Sequence, residues 1–406
     1  MPKYLTITLL LCLCWPLAGH GADAHRIYVQ HVEHGFASLF QGDNQGAIAA
    51  FEAALASESE HYEIHHYLGM AYAQEQFWKK AVDAYQRSLA LMPDNIEALY
   101  SLGVAHFRMD AWEAAVAPLQ QVVALSPQHA RGYEVLGKAQ VKLRKYADAV
   151  DTLTKALALK PNAAGTYQEL GTAYLNLKAY PEAIENFKLA LQFGPVRYAE
   201  PHYGLGTAYL RLSTTVGAPS RAGYREKSRE EMRIYQQLQK EYAEYERLSR
   251  LTRTEPKNLE GWASLASLLI YQKNYAEAVR VLQKCIELAP NEANFYHGLS
   301  QAFVNLNYPK PAAEAAQKAI QLLKPVSESS RARLAVLYNT LGSAYAMQGD
   351  AQNAVGAYRK AIELNDEQPY FHLNLAKLYE SLGRHELAQE HYRAYEHYKK
   401  MAEQQE

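Results

Sequence analysis

Three groups of side chains have types and spacings that could do chemistry. Seven of the fifteen histidines fall between the N-terminus and His66. His31 and His34 are three apart and His61 and His65 four apart, so each pair shares one helical face, a spacing metal ligands can use. No cysteine stands near them, because Cys12 and Cys14 sit in an apolar N-terminal segment and Cys285 is far along the chain. The second group is basic. Arg131, Lys138 and Lys142 are seven and four residues apart, on one face of one helix, where they can hold carboxylates. The third group is the scatter of Ser and Asp, which has no His at a useful spacing and gives a nucleophilic triad no support. The chain contains no phosphate-cradling Gly-rich loop, no G-x-S-x-G elbow and no H-E-x-x-H helix. No catalytic residue, metal ligand or cofactor site is assigned.

The elements that must carry these residues announce themselves by repetition. Gly35, Gly69, Gly103, Gly137 and Gly171 recur at one constant step of about 34 residues, and so do Ala47, Ala81, Ala115, Ala149 and Ala183. Pro93, Pro127, Pro161 and Pro195 keep the same step. Two stretches of helix-spaced apolar residues lie in each period, so each unit reads as two antiparallel helices closed by a proline turn. Gly or Ala lets helices approach at the near end of the usual range of about 8–10 Å. Aromatics such as Tyr72, Tyr174 and Tyr209, and Phe51, Tyr85 and Phe187 from the second helix, then fill the space beside them. One helix pair cannot bury both faces, so stacked neighbours make the core. In this register His31, His34 and His65 occupy positions that other repeats fill with Tyr or Leu, which favours packing over metal binding. Cys285 takes a place filled by Ala54, Ala156 and Ala190, as a buried inert thiol would.

The segments LGMAYAQEQFWKKAVDAYQRSLALMPDN and LGTAYLNLKAYPEAIENFKLALQFGP carry Leu-Gly-x-x-Tyr, Ala-x-x-x-aromatic and a terminal Pro in phase. In these marks the chain resembles the tetratricopeptide repeat family. The resemblance implies an all-α fold, a right-handed α-solenoid of about ten helix-turn-helix repeats. It also implies an inner groove, lined by the first helix of each repeat, that binds peptides or partner helices. On that basis the groove residues are Tyr100, Phe107 and Arg108, then Arg131, Glu134, Lys138 and Lys142, then Tyr203 and Arg211. The Lys, Asn, Asn, Lys and Arg set that the family's chaperone adaptors use to clamp two carboxylates is absent.

The array is interrupted. Gly206 arrives one residue late, and Trp262, Leu265, Ala266, Ala278 and Pro290 open a second run through Ser300, Gly342 and Ala376. The step from Gly206 to Ala266 is well over one period and short of two. Within it, residues 213–223 read as a flexible stretch broken by Gly217, Pro219 and Gly223. Tyr224 to Thr254 has neither Gly nor Pro and reads as one charged helix of roughly 45 Å. Its stripe of Tyr235, Leu238, Tyr242 and Tyr245 either packs back on the array or docks a partner or a second copy. A smaller insertion around Lys324 to Arg333 reads as a longer surface turn, and Pro118 is expected to kink its helix. The organisation is therefore 1–24 leader, 25–212 first array, 213–257 insertion and 258–406 second array.

The remaining numbers bound the function. With 42 basic and 43 acidic residues and a net charge of −1, nothing draws the whole molecule to nucleic acid or anionic lipid. Lys3, the apolar run from Leu5 to Leu17 and Ala22-Asp23-Ala24 have the parts of a cleaved secretory signal. His20 stands where a lipoprotein box would place Cys. The expectation is an exported, periplasmic scaffold without a membrane span, binding envelope proteins. The 31 Tyr keep open a glycan-binding or polysaccharide-export component, and a regulatory subunit of an envelope enzyme is a third reading.

Overall fold

The computed structural model describes residues 21–57, 61–215, 217–323 and 327–404. The leader expected at 1–24 lies outside the described residues up to position 20. The chain is all-helical there, with twenty helices in ten consecutive pairs. The first six pairs are α1 (Gly21–Gln41) and α2 (Asn44–Ser57), α3 (Tyr62–Gln74) and α4 (Trp78–Leu91), α5 (Ile96–Arg108) and α6 (Trp112–Leu125), α7 (Ala130–Lys142) and α8 (Tyr146–Leu159), α9 (Ala164–Asn176) and α10 (Tyr180–Phe193), and α11 (Ala199–Ser213) and α12 (Ala218–Thr254). The last four are α13 (Leu259–Tyr271) and α14 (Tyr275–Leu288), α15 (Ala293–Asn305) and α16 (Pro309–Leu322), α17 (Glu328–Met347) and α18 (Ala351–Leu364), and α19 (Pro369–Ser381) and α20 (His385–Glu403). Packing divides the chain into two compact units, one ending at Leu238 and one beginning at Gln239, inside α12.

The periodic glycines are contact points. A Cβ on Gly69 would meet the Tyr85 ring at 2.5 Å, one on Gly137 would meet Leu153 at 2.4 Å, and one on Gly171 would meet Phe187 at 2.8 Å. Each of these three glycines thus receives the large side chain of its own second helix. The periodic alanines complete the seam: Ala47, Ala81, Ala115, Ala149 and Ala183 are all fully buried. Most first helices end in a left-handed residue, as at Gln76 (φ 61°), Asp110 (φ 57°) and Gly349 (φ 77°). At Gln76 the following amide, Phe77 N, donates to Tyr72 O at 2.8 Å, which satisfies an end carbonyl and turns the chain into α4. Asn95 and Asn258 cap α5 and α13 by accepting from Ala98 N and Gly261 N.

Two local expectations differ from what is observed. α12 begins at Ala218, so Pro219 and Gly223 lie within it and its 37 residues span roughly 55 Å. Proline is tolerated there because first-turn amides have no intrahelical acceptor in any case. The smaller insertion extends α17 to 20 residues, started by a capping box between Ser327 and Ser330, so from Glu328 onward it is helix and not turn, while residues 324–326 lie outside the described residues. Pro118 lies inside α6, four residues before the buried Val122.

Candidate functional site

From α3 to α11 each first helix touches the first helix of the next repeat, as do α13 through α19 in the second unit. Within a unit the first helices therefore form the closely packed inner layer. The constant step brings one position to the same place on each helix of unit 1. The residue three before the periodic glycine is His66, Tyr100, Glu134, Gln168 and, one residue late, Tyr203. This row lies on one face of the first-helix layer, where the family resemblance places the groove.

The charged part of the groove lies on α5, α7 and α9. Arg108, Arg131 and Lys142 are exposed. Lys138 is half-buried and paired with Glu134 at 2.6 Å, one helical turn away. Its Nζ also lies 3.9 Å from where a Cβ on Gly165 would stand, so α9 contributes a gap over which the lysine can lie. Glu169 of α9 completes the cluster. Burial raises its carboxyl above the ordinary range, opposed by Lys142 and Lys138 and reinforced by Glu134. Burial likewise raises the Tyr100 hydroxyl, with Arg131 and Arg108 pulling it down. The groove is therefore a mixed cluster in which two carboxylates already face the lysines.

The aromatic candidates divide between packing and surface. Tyr100 and Phe107 are half-buried against the core of Ala115, Leu119 and Leu136, and the Tyr100 ring lies 5.0 Å from that of His129. Tyr203 is 52% exposed, with its ring 5.2 Å from that of Tyr235 in α12. Arg211 is exposed near the end of α11. Gln168 accepts from the Tyr198 hydroxyl, which burial pushes up to about 12 with Glu200 and Glu169 adding to the effect.

The stripe on α12 separates along its length. In the first unit Tyr235 meets Tyr203, His202 Nδ1 lies 2.6 Å from Glu231, and Ser228 donates to Gly206 O at 2.7 Å. In the second unit Tyr245 donates to Glu277 at 2.8 Å and packs with buried Leu248 against α13 and α14. Leu238 is half-buried, and Tyr242 is 62% exposed. Two of the four stripe residues thus make contacts within the protein, and Tyr242 faces solvent.

Sequence reading missed Gln168, Glu169 and His66. The signal was available, since Gln168 and His66 share the register of Tyr100 and Glu134. The early histidines divide: His31 is half-buried, and His34 is exposed, against the expectation that it fills a packing position. His65 and His66 are buried, and the His61 ring stacks on Tyr28 at 4.5 Å. Burial holds His66 below the ordinary histidine value, with Glu97 opposing. Among the described residues no group of three or more His, Cys, Asp or Glu is placed to share a metal ion. Cys285 is buried, and burial pushes its thiol up to about 11, far from a reactive thiolate.

Helix pairs stacked on their neighbours within each unit define an α-helical repeat scaffold. Models described as tetratricopeptide repeat match residues 37–96 and 135–198, and 259–292, and one described as TPR repeat matches 338–383. A model described as anaphase-promoting complex, cyclosome, subunit 3 matches 74–156. The chain belongs to the tetratricopeptide repeat family, whose members are protein–protein interaction scaffolds and generally non-catalytic. Similar solved structures include a MamA protein at 28% identity, covering 41% of this chain and 91% of that one with a TM-score of 0.40. They also include MamA from Desulfovibrio magneticus RS-1 at 22% identity, covering 44% and 97% with a TM-score of 0.40. No curated protein matches the sequence.

Proposed function

We propose that this chain is a non-catalytic scaffold that holds an extended, carboxylate-bearing peptide, or an acidic helix, of a partner protein in the groove of its first unit. The observation that carries this reading is the row of exposed cations Arg108, Arg131, Lys142 and Arg211 along the first-helix face, beside the open ring of Tyr203. Lys138 is held and largely neutralised by Glu134 on the same face. Exposed charges mainly steer and orient a partner, while a half-open aromatic supplies contact area. The test is a pull-down of the natural partner with Lys138→Glu and Lys142→Glu combined. Binding falls while the helical signal is unchanged; unaltered affinity sinks the assignment.

The partner belongs to the cell envelope in this reading, because the segment 1–24 has the pattern of a secretory leader. No helix among the described residues is long and apolar enough to cross a membrane. N-terminal sequencing of protein recovered from the periplasm tests this, with a mature chain beginning near His25 as the expected result.

A further inference from the structure

The last helix of the second unit, α20, is fastened to the array by two imidazoles. His372 in α19 is 6% exposed. Its Nε2 lies 2.9 Å from the carbonyl oxygen of Asp366, which can only accept, so the hydrogen-bond pattern assigns the ring proton to this nitrogen. The Nδ1 of His372 then presents a lone pair. It lies 3.1 Å from Nδ1 of His391 on α20, which therefore donates.

The ring centroids are 5.4 Å apart, which is the nitrogen–nitrogen distance plus one ring radius on each side. The two nitrogens thus face each other head-on. Imidazoles sharing one metal ion would aim their lone pairs at a common third point and bring the centroids closer, so this is an N–H···N bond and not a chelate. Tyr398 of α20 stacks on His372 at 5.5 Å and Tyr379 of α19 stacks on His391 at 5.8 Å. Apart from these, α20 buries Ala388, with Leu387 and Tyr392 half-buried on the core of Leu375 and Tyr379. The polar attachments of α20 to α19 are the imidazole pair and the Tyr392 hydroxyl, which donates to Glu380 at 2.6 Å.

The geometry points to an acid-operated latch in which protonation of the His372–His391 pair releases α20 and bares the apolar end of the array. A first added proton keeps the bond if it goes to Nε2 of His391. A second must go to Nδ1 of His372, which sets N–H against N–H and places two cations 3.1 Å apart. The surrounding groups oppose even the first. Burial holds His391 below the ordinary histidine value, helped by His372 and by Arg359 of α18, with Glu390 of α20 pulling the other way. From the turn before α19, Asp366 and Glu367 face the Tyr398 hydroxyl and add to the burial that raises it, so Tyr398 stays neutral in this range. An imidazole released into water protonates near the ordinary histidine value of about 6.5. The released state therefore binds more protons, so docking is complete above that value and weakens as the pH falls below it. Release uncovers Leu375 and Tyr379, both fully buried in the docked state. The latch does not depend on what the groove of the first unit holds.

Hydrogen–deuterium exchange of the full chain at about pH 7.5 and about pH 5.5 tests it, with rates corrected for intrinsic exchange and α13 and α14 as internal reference. In the wild-type chain, protection of α20 falls more than roughly threefold at the lower pH while the reference helices are unchanged. His391→Gln keeps a side-chain N–H donor but no titrating ring, and its α20 protection stays level. Equal protection of wild-type α20 at both pH values overturns the latch, and so does a wild-type-sized fall in His391→Gln. Where that variant is already undocked at the higher pH, NMR titration of the wild-type rings decides. A His391 resonance titrating as free histidine overturns the proposal, and one titrating below it upholds it.

Discussion

Gly69 and Tyr85 occupy one volume between them: the ring edge stands 2.5 Å from where a Cβ on the glycine would be. The same fit recurs at Gly137 with Leu153 at 2.4 Å. Gly137→Ala therefore overpacks its seam and destabilises by about 1–3 kcal/mol. Gly356 lies inside α18 with nothing within 4 Å of its added Cβ, so Gly356→Ala stabilises by about 0.4–1 kcal/mol. Urea denaturation of the two variants checks the contrast, and equal effects would show that the glycines are not seam residues.

Glu134 holds Lys138 at 2.6 Å on the groove face. Glu134→Gln removes a competing carboxylate and leaves the lysine for a partner. Binding of an acidic peptide should strengthen severalfold at low salt, and the gain should shrink as ionic strength rises through a Debye length of about 8 Å. Isothermal titration at two salt concentrations reads this. A gain that does not depend on salt would mean that the substitution acts through shape.

Glu169 has its carboxyl raised by burial. A carboxyl whose folded value lies above its unfolded value costs stability once the pH exceeds the folded value, and that cost is absent below the unfolded value. Glu169→Gln should therefore raise the melting temperature at neutral pH and make no difference well below the ordinary carboxylate value of about 4.3. Paired melts at the two pH values decide the sign.

Leu248 of α12 is 2% exposed, whereas Tyr242 is 62% exposed on the same helix. Leu248→Ala should cost about 2–5 kcal/mol, and Tyr242→Ala should stay within about 0.5 kcal/mol. If both are silent in denaturation, the end of α12 is not part of the second unit's core.

The glycine, alanine and proline steps made the helix pairs legible, because each mark has a steric cause that a single sequence exposes. The start of α12 was not, because Pro219 and Gly223 read as breakers until their place in the first turns is known. Likewise, the stretch after Ser327 read as loop because its cap is a Ser–Ser pair with no acidic partner. In the groove, sequence register placed Arg131, Lys138, Lys142 and Tyr203 on first helices. It could not show that Glu169 of α9, in the next repeat, lies near enough to feel the lysines, since that is a relation between repeats. The imidazole bond between His372 and His391 joins two helices with no periodic mark at either position, and only packing reveals it.

The most direct test of the central claim is fluorescence anisotropy of matched extended peptides, one set bearing Asp and the other Asn, titrated with the full chain and with an Arg131→Glu, Lys142→Glu variant. The account predicts that Asp peptides bind the wild-type chain, that their Asn counterparts bind at least tenfold more weakly, roughly 1.4 kcal/mol, and that the variant loses the preference while keeping its helical content. Equal binding of both sets, or a preference that survives in the variant, would contradict it.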